Sequence, residues 1–166
     1  MENSQPLQTT EILKEFLHLP RFPDGRIDYT NSPKAPVITC FVRYGDDFLL
    51  LKRGDKVATH KGRWSVVAGY LDDFNGLKEK VLEELREEIG VLEKDIKSIK
   101  FGDVYIFTDS ETGKTWVVHP ALVELSKKPE IKLDWEHTEF RWVKIGEIKN
   151  FDVPKDLEDS LERLIK

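Results

Sequence analysis

Apolar positions along this chain gather in short runs separated by turn-forming residues, with helical spacing in only three places. Residues 37–44 and 48–53 are rich in β-branched and large aliphatic side chains and flank Gly45-Asp46-Asp47, which predicts two strands joined by a tight turn. Further strands are expected at 64–68, 99–108, 115–125 and 140–143, the middle pair forming a long hairpin around 109–113. Leu82, Leu85 and Ile89 share one side of a helix predicted over 77–89, which Gly90 ends as a left-handed cap. After Pro154, the spacing of Leu157, Leu161, Leu164 and Ile165 predicts a last helix over 155–165. Near the start, Thr10 as cap, Glu11 in the first turn and the stripe of Ile12, Leu13, Phe16 and Leu17 predict a short helix. Pro20, Pro23, Gly25, Pro33 and Pro36 then interrupt regular structure repeatedly. The chain therefore divides into an N-terminal extension, residues 1–36, and a main domain, residues 37–166. Strands on both sides of a central helix, with a terminal helix, predict a mixed α+β fold in which a mixed sheet lies between helices.

Length and composition narrow the function classes. At 166 residues the chain fits one domain of ordinary size. Its longest apolar run, Phe48 to Leu51, is four residues, far short of the roughly 20 that cross a bilayer, so no membrane association is expected. The first residues lack the basic start and apolar stretch of a signal peptide, and the one cysteine, Cys40, has no partner for an internal disulfide. A cytosolic (cytoplasmic) setting is the expectation. Lys and Arg number 26 against 31 Asp and Glu, so there is no basic excess for non-specific DNA binding. Residues 72–95 hold nine acids against four bases, a surplus equal to the whole net charge of −5.

Much of that surplus lies on the central helix. At 100° per residue, Glu84, Glu87 and Glu88 fall within about 100° of one another, beside the apolar side. Like-charge pairs at i,i+4 (Glu79/Glu83, Glu83/Glu87, Glu84/Glu88) cost about 0.2–0.5 kcal/mol each. Their sum of about 1 kcal/mol is small beside a total stability of about 5–15 kcal/mol. Repulsion alone therefore does not separate a functional trio from a solvated acidic face.

The flanking residues do. Gly69 opens a 23-residue stretch in which Glu84, Leu85, Glu87, Glu88, Gly90 and Val91 follow at fixed offsets. This stretch resembles the Nudix box: Gly, five residues, Glu, seven residues, then Arg-Glu-aliphatic-any-Glu-Glu-any-Gly-aliphatic. Seven of the nine specified positions match. The departures are Asn75 in place of the first Glu and Glu83 in place of the Arg, two positions that form an ion pair in the family. An Asn75 amide donating to the Glu83 carboxylate is the replacement brace expected here. The resemblance continues in residues 64–71 and in Glu136-His137, residues 140–143 and residues 146–148, so it spans about 37–166. The Ala68-Gly69-Tyr70 step hints at the members that cleave dinucleotides.

The resemblance implies a Nudix-type α/β/α sandwich and a metal-dependent hydrolase. Its substrate would be a nucleotide, a nucleoside diphosphate linked to another moiety: ADP-ribose, a dinucleotide, a nucleotide sugar or a nucleoside triphosphate. It implies Mg²⁺ or Mn²⁺ as cofactor, held by Glu84, Glu87 and Glu88 with the carbonyl of Gly69 in addition. An EF-hand calcium site does not fit, because the acids lie on a helix. Glu87 and Glu88, or Glu136 from a later loop, are the candidates for the group that orients or deprotonates water. Arg53, Lys61 and Arg63 are the candidates for binding substrate phosphates. Tyr70, Phe74 and Trp116 are available to stack on a base, although aromatics at strand positions more often fill a core. His119 and His137 are read as structural, His60 as a loop residue and Cys40 as a buried, inert thiol. Homodimers are common in the family, and the N-terminal helix offers a surface for one. The alternative function is a non-hydrolytic Nudix-fold module that binds a nucleotide or RNA.

Overall fold

Strand β1 (Lys34–Tyr44) is the axis of the molecule. The computed structural model describes residues 9–165; residues 1–8 of the extension and Lys166 lie outside the described residues. Gly45, at φ 57°, turns β1 into β2 (Asp47–Arg53), which pairs with it antiparallel. Two further strands follow, β3 (Trp64–Ser65) on β2 and β4 (Val67–Tyr70) on β1. The expected strand at 64–68 is thus two, because the chain changes partner at Val66, whose side chain is buried. Helix α2 (Leu77–Ile89), preceded in the chain by α1 (Thr9–Leu13), occupies the predicted span.

On its other edge β1 runs parallel to β7 (Thr115–Leu125), which in turn pairs with β5 (Ile96–Phe101) and β6 (Tyr105–Thr108). The expected strand at 99–108 breaks at 102–104, opposite Pro120 of β7. Pro120 has no N–H to donate, and the single remaining bond there runs from the Gly102 N–H to the Pro120 carbonyl at 2.9 Å. Strand β8 (His137–Lys144) closes the eight-stranded mixed sheet against β2, and α3 (Leu157–Ile165) ends the chain.

Two separate apolar clusters cover the two faces of this sheet. One joins Leu77, Val81, Leu85 and Ile89 of α2 to Ile38, Cys40 and Val42 of β1 and Ala121 and Val123 of β7. The other joins Leu157, Leu161 and Leu164 of α3 to Phe41, Leu50 and Leu122. The arrangement is the expected mixed sheet flanked by helices.

The N-terminal helix is shorter than its apolar stripe suggests. After Leu13 the chain tightens into a 3₁₀ turn, Lys14–Phe16. Leu13 and Phe16 are buried in the α2-side cluster with Ile27 and Tyr29, whereas Leu17 is exposed. The extension therefore packs on this chain's own core, and it does so against the loop that leads into α2.

Candidate active site

Helix α2 is held by its apolar side and by its C-terminus. Gly90 adopts the left-handed conformation at φ 71°, with its N–H on the Arg86 carbonyl, and Val91 N–H reaches Leu85. This fixes where the three glutamates stand, and they stand at different depths. Glu88 is only 4 % exposed, Glu84 is half-buried and Glu87 is exposed.

Glu84 occupies a space that only glycine leaves. A Cβ on Gly69 would lie 2.5 Å from the Glu84 carboxyl carbon and 2.5 Å from its Oε1. Glu88 Oε2 accepts the Ala68 N–H at 3.1 Å, so neighbouring residues of β4 seat both carboxyl groups. The other oxygen, Oε1, lies 4.0 Å from Nε2 of His137, whose Nδ1 donates to the Asp134 carboxylate at 2.8 Å. Asp134 is positioned by the helix itself. Lys132 N–H reaches the Ile89 carbonyl at 3.0 Å and Asp134 N–H the Glu88 carbonyl at 3.2 Å, so residues 131–134 satisfy the free carbonyls at the end of α2. Gly54 N–H then binds the Glu136 carbonyl at 2.8 Å, tying the half-buried Glu136 to the end of β2 beside Arg53.

These carboxyls crowd one another, and burial adds to the effect. Burial comes first for Glu84; against the opposing Lys80 charge, and with Glu87, Glu83 and Asp72 adding, it carries the carboxyl from the ordinary 4.5 to about 8. Glu88 is pushed well above the carboxylate range, by burial and then by Glu84, Glu136 and Asp134, with the Ala68 N–H pulling the other way. Glu136 is raised too, by burial and Asp134, against His137 and Arg53. A cluster of oxygen donors short of positive charge, one of them in a cradle a Cβ would fill, fits a hard divalent cation.

The other expected residues separate. Arg53 donates from Nε to the Thr59 carbonyl at 3.0 Å and lies near enough to Glu136 and Tyr70 to bias both electrostatically. Lys61 is exposed on the same loop. Arg63 is committed elsewhere, to Asp152 at 3.2 Å, the Val153 carbonyl at 3.1 Å and Glu111 at 3.4 Å. His60, at φ 54°, is more than a loop residue: its ring meets Asp109 at 2.7 Å and Glu111 at 3.1 Å. Since the Arg63 guanidinium lies 3.2 Å from the same ring, this group is a polar strut between 54–63 and the hairpin turn. Tyr70 stacks on Tyr29 and meets Trp116, whereas Phe74 is exposed beneath the Arg21 guanidinium. Cys40 is buried, and burial with Glu88 and Glu84 nearby raises its thiol far out of the reactive range.

The expected Asn75–Glu83 hydrogen bond is absent among the described residues. Glu83 is taken by Lys80, at 2.9 Å, while Asn75 is exposed and only its backbone N–H is engaged, by Asp73 at 3.0 Å.

The NUDIX domain family matches residues 33–164. The chain belongs to this family. Among curated relatives, this Nudix chain is 23 % identical over 111 residues to the nucleoside triphosphatase NudI of Escherichia coli, covering 64 % of this chain and 79 % of that one. Among solved structures it is similar to a MutT protein from Methanosarcina mazei Go1, at 26 % identity and TM-score 0.61 over 80 % of this chain and 94 % of that one. The NUDIX domain of Shewanella oneidensis NrtR, solved with ADP ribose, shares the fold at 16 % identity and TM-score 0.64, covering 78 % and 85 % of the two chains. Two positions around the carboxylate cluster, Asp134 and Lys80, were not found by spacing. Asp134 carried a signal, its i,i+3 relation to His137. Lys80 carried none, since a lysine on a charged helix reads as solvated.

Proposed function

We propose that the chain is a divalent-metal-dependent hydrolase of the pyrophosphate linkage in a nucleoside diphosphate joined to another moiety. It is a Nudix pyrophosphohydrolase, an enzyme acting on phosphoric anhydrides. The observation that carries the reading is the seating of Glu84 in the Gly69 cradle beside the buried Glu88. Glu84, Glu87 and Glu88, with the Gly69 carbonyl, would hold Mg²⁺ or Mn²⁺. When bound, such an ion screens the phosphate oxygens and acidifies a coordinated water. Oxygen-only donors suit these ions.

The chain's own residues divide the remaining work. Ala68 N–H holds Glu88, His137 stands 4.0 Å from its other oxygen, and Asp134 orients His137. Glu136 is the residue proposed to accept the proton of the attacking water as the new P–O bond forms and the bridging P–O bond breaks. Its raised pKa brings it nearer neutral pH, where a base works best. Arg53 would bind the departing or retained phosphate, with Lys61 as a second cation at the loop's surface. Arg63 contributes by holding that loop through the strut to Glu111 and Asp152. The division into an extension, 1–36, and a catalytic unit, 37–166, belongs to the same proposal, as does a cytoplasmic setting, which suits the free, buried Cys40. No helix among the described residues is long and apolar enough to cross a membrane. NudI's nucleoside triphosphatase activity and the ADP ribose bound by the NrtR domain support a nucleotide substrate without choosing one.

The test is turnover of a panel of nucleoside triphosphates, dinucleotides, nucleotide sugars and ADP-ribose with Mg²⁺ and Mn²⁺. It compares the parent with Glu88→Gln, Glu87→Gln and Glu136→Gln. Metal-dependent hydrolysis that collapses in the first two and falls about 10²–10⁴-fold in the third is the expected result. Nucleotide binding without turnover would overturn it in favour of a binding module.

A further inference from the structure

The Nudix box lacks both members of its loop-to-helix ion pair, yet the loop is tightly held. Lys80 sits one helical turn before Glu84 and is 2 % exposed, a degree of burial that lysine tolerates only with full compensation. Its ammonium donates to Asp72 at 2.9 Å and Asp73 at 3.3 Å from the loop, and meets Glu83 at 2.9 Å from the helix. Three donors meet three carboxylates. The loop is gripped from outside as well. Ile27 N–H binds the Asp72 carbonyl at 2.7 Å, the Tyr29 hydroxyl binds the Leu71 carbonyl at 2.6 Å, and the Arg26 guanidinium lies 3.8 Å from the second Asp72 oxygen.

The position matters because of what the loop connects. It runs from Gly69 and Tyr70 at the end of β4 to Gly76 at the start of α2, so its conformation sets how the helix lies against the strand. The fit of Glu84 against Gly69 leaves no room for a Cβ, so a small slip of the helix separates the carboxylate from its seat. Asn75 and Glu83 alone provide no such restraint.

We infer that Lys80 is a positioning residue that takes the place of the missing ion pair, and that Arg26, Ile27 and Tyr29 of the extension form the outer half of the same brace. The extension residues lie before the family match at 33–164, so this part of the brace stands outside the matched domain. The inference rests on the proposed metal site, and its readout is therefore binding of Mn²⁺ alone to the full chain.

The variant Lys80→Met keeps the side chain's length and removes its charge. Its Mn²⁺ affinity should fall about 10–100-fold, the usual loss when a residue that orients metal ligands is removed. Amides of 71–76 should exchange faster, and the half-saturating metal concentration for turnover should rise while kcat at saturating metal stays within about threefold. Adding Asn75→Glu and Glu83→Arg to Lys80→Met supplies the family's pair and should recover most of the lost affinity. A merely structural lysine would not be rescued this way. If Lys80→Met does not fold, Arg26→Gln, on a half-exposed side chain, tests the outer half: Mn²⁺ affinity should fall about threefold with faster exchange at 71–76. Unchanged Mn²⁺ affinity in either variant, or a folded triple variant that recovers nothing, overturns the inference. A parent that binds no Mn²⁺ overturns it together with the metal reading; a parent that binds Mn²⁺ without hydrolysing any substrate overturns the activity alone.

Discussion

Glu84 should destabilise the metal-free protein, and by a predictable amount. Its carboxyl is raised from 4.5 to about 8, first by burial. The sign follows from proton counting: between these values the unfolded chain has released a proton that the folded chain still binds, so stability falls as pH rises through the window. Below pH 4.5 the penalty is absent, and above pH 8 it is constant. At pH 7 the gap of 2.5 units corresponds to about 3 kcal/mol at 1.36 kcal/mol per unit. Glutamine keeps the shape and cannot ionise, so Glu84→Gln should stabilise the metal-free protein at pH 7 by roughly 2–3 kcal/mol. For a chain of this length that is about 5–10 °C in Tm. The assay is thermal unfolding of parent and variant in a chelator at pH 4.5, 7 and 9, repeated with saturating Mn²⁺. The gap should vanish near pH 4.5, grow to pH 9, and close or reverse with Mn²⁺, because ligand binding to the parent adds about 2.7 kcal/mol at a hundred times Kd. A variant less stable than the parent in chelator, or a gap independent of pH, would refute the account of Glu84 as a half-buried carboxyl held for a cation.

Three other outcomes are expected. Gly69→Ala places a Cβ 2.5 Å from the Glu84 carboxyl, and since that is the end of a flexible side chain the fold should survive while Mn²⁺ affinity drops at least about tenfold by calorimetric titration. His119 is 4 % exposed with Nε2 unpaired, and burial lowers its pKa from 6.5 to about 4. The unfolded chain thus takes up a proton below pH 6.5 that the fold refuses until about pH 4, a loss of about 3 kcal/mol across that window, which His119→Leu should remove from the acid limb of a pH–stability profile. Gly102→Ala would set a Cβ 3.0 Å from Leu164 Cδ2 and 3.1 Å from the Arg163 carbonyl, and should cost about 1–3 kcal/mol by denaturant unfolding, since the backbone contact cannot yield.

What was legible in the sequence was whatever depends on spacing within one element. The span of α2, its Gly90 cap and the offset from Gly69 to Glu84 follow from helix geometry, which repeats regardless of the rest of the fold. What was not legible depends on which distant segments meet. Gly102 and Pro120 look harmless apart, and only their placement across a ladder breaks the expected strand into β5 and β6. Arg63 reads as a free loop cation until Asp152 and Glu111 arrive from either side of it. Asp134 acquires its place only because residues 131–134 run back over the end of α2.

The acidic surplus shows the same division in one segment. Nine acids in residues 72–95 look like a single solvated run, but the surroundings of five of them sort those five into two groups. Asp72, Asp73 and Glu83 face Lys80, with Arg26 behind Asp72, and are neutralised within the chain. Glu84 and Glu88 instead crowd each other, Glu88 with Asp134 and Glu136 beside it and Glu84 with Glu87, and their charged forms are disfavoured in the folded protein. On the proposed metal reading, a fold that gives its buried lysine to the outer group and leaves the inner group crowded would draw the compensating positive charge from solution. The acids of this box would then serve two purposes, with Lys80 bonded to the outer group and opposing the shift of Glu84 in the inner one only through its charge.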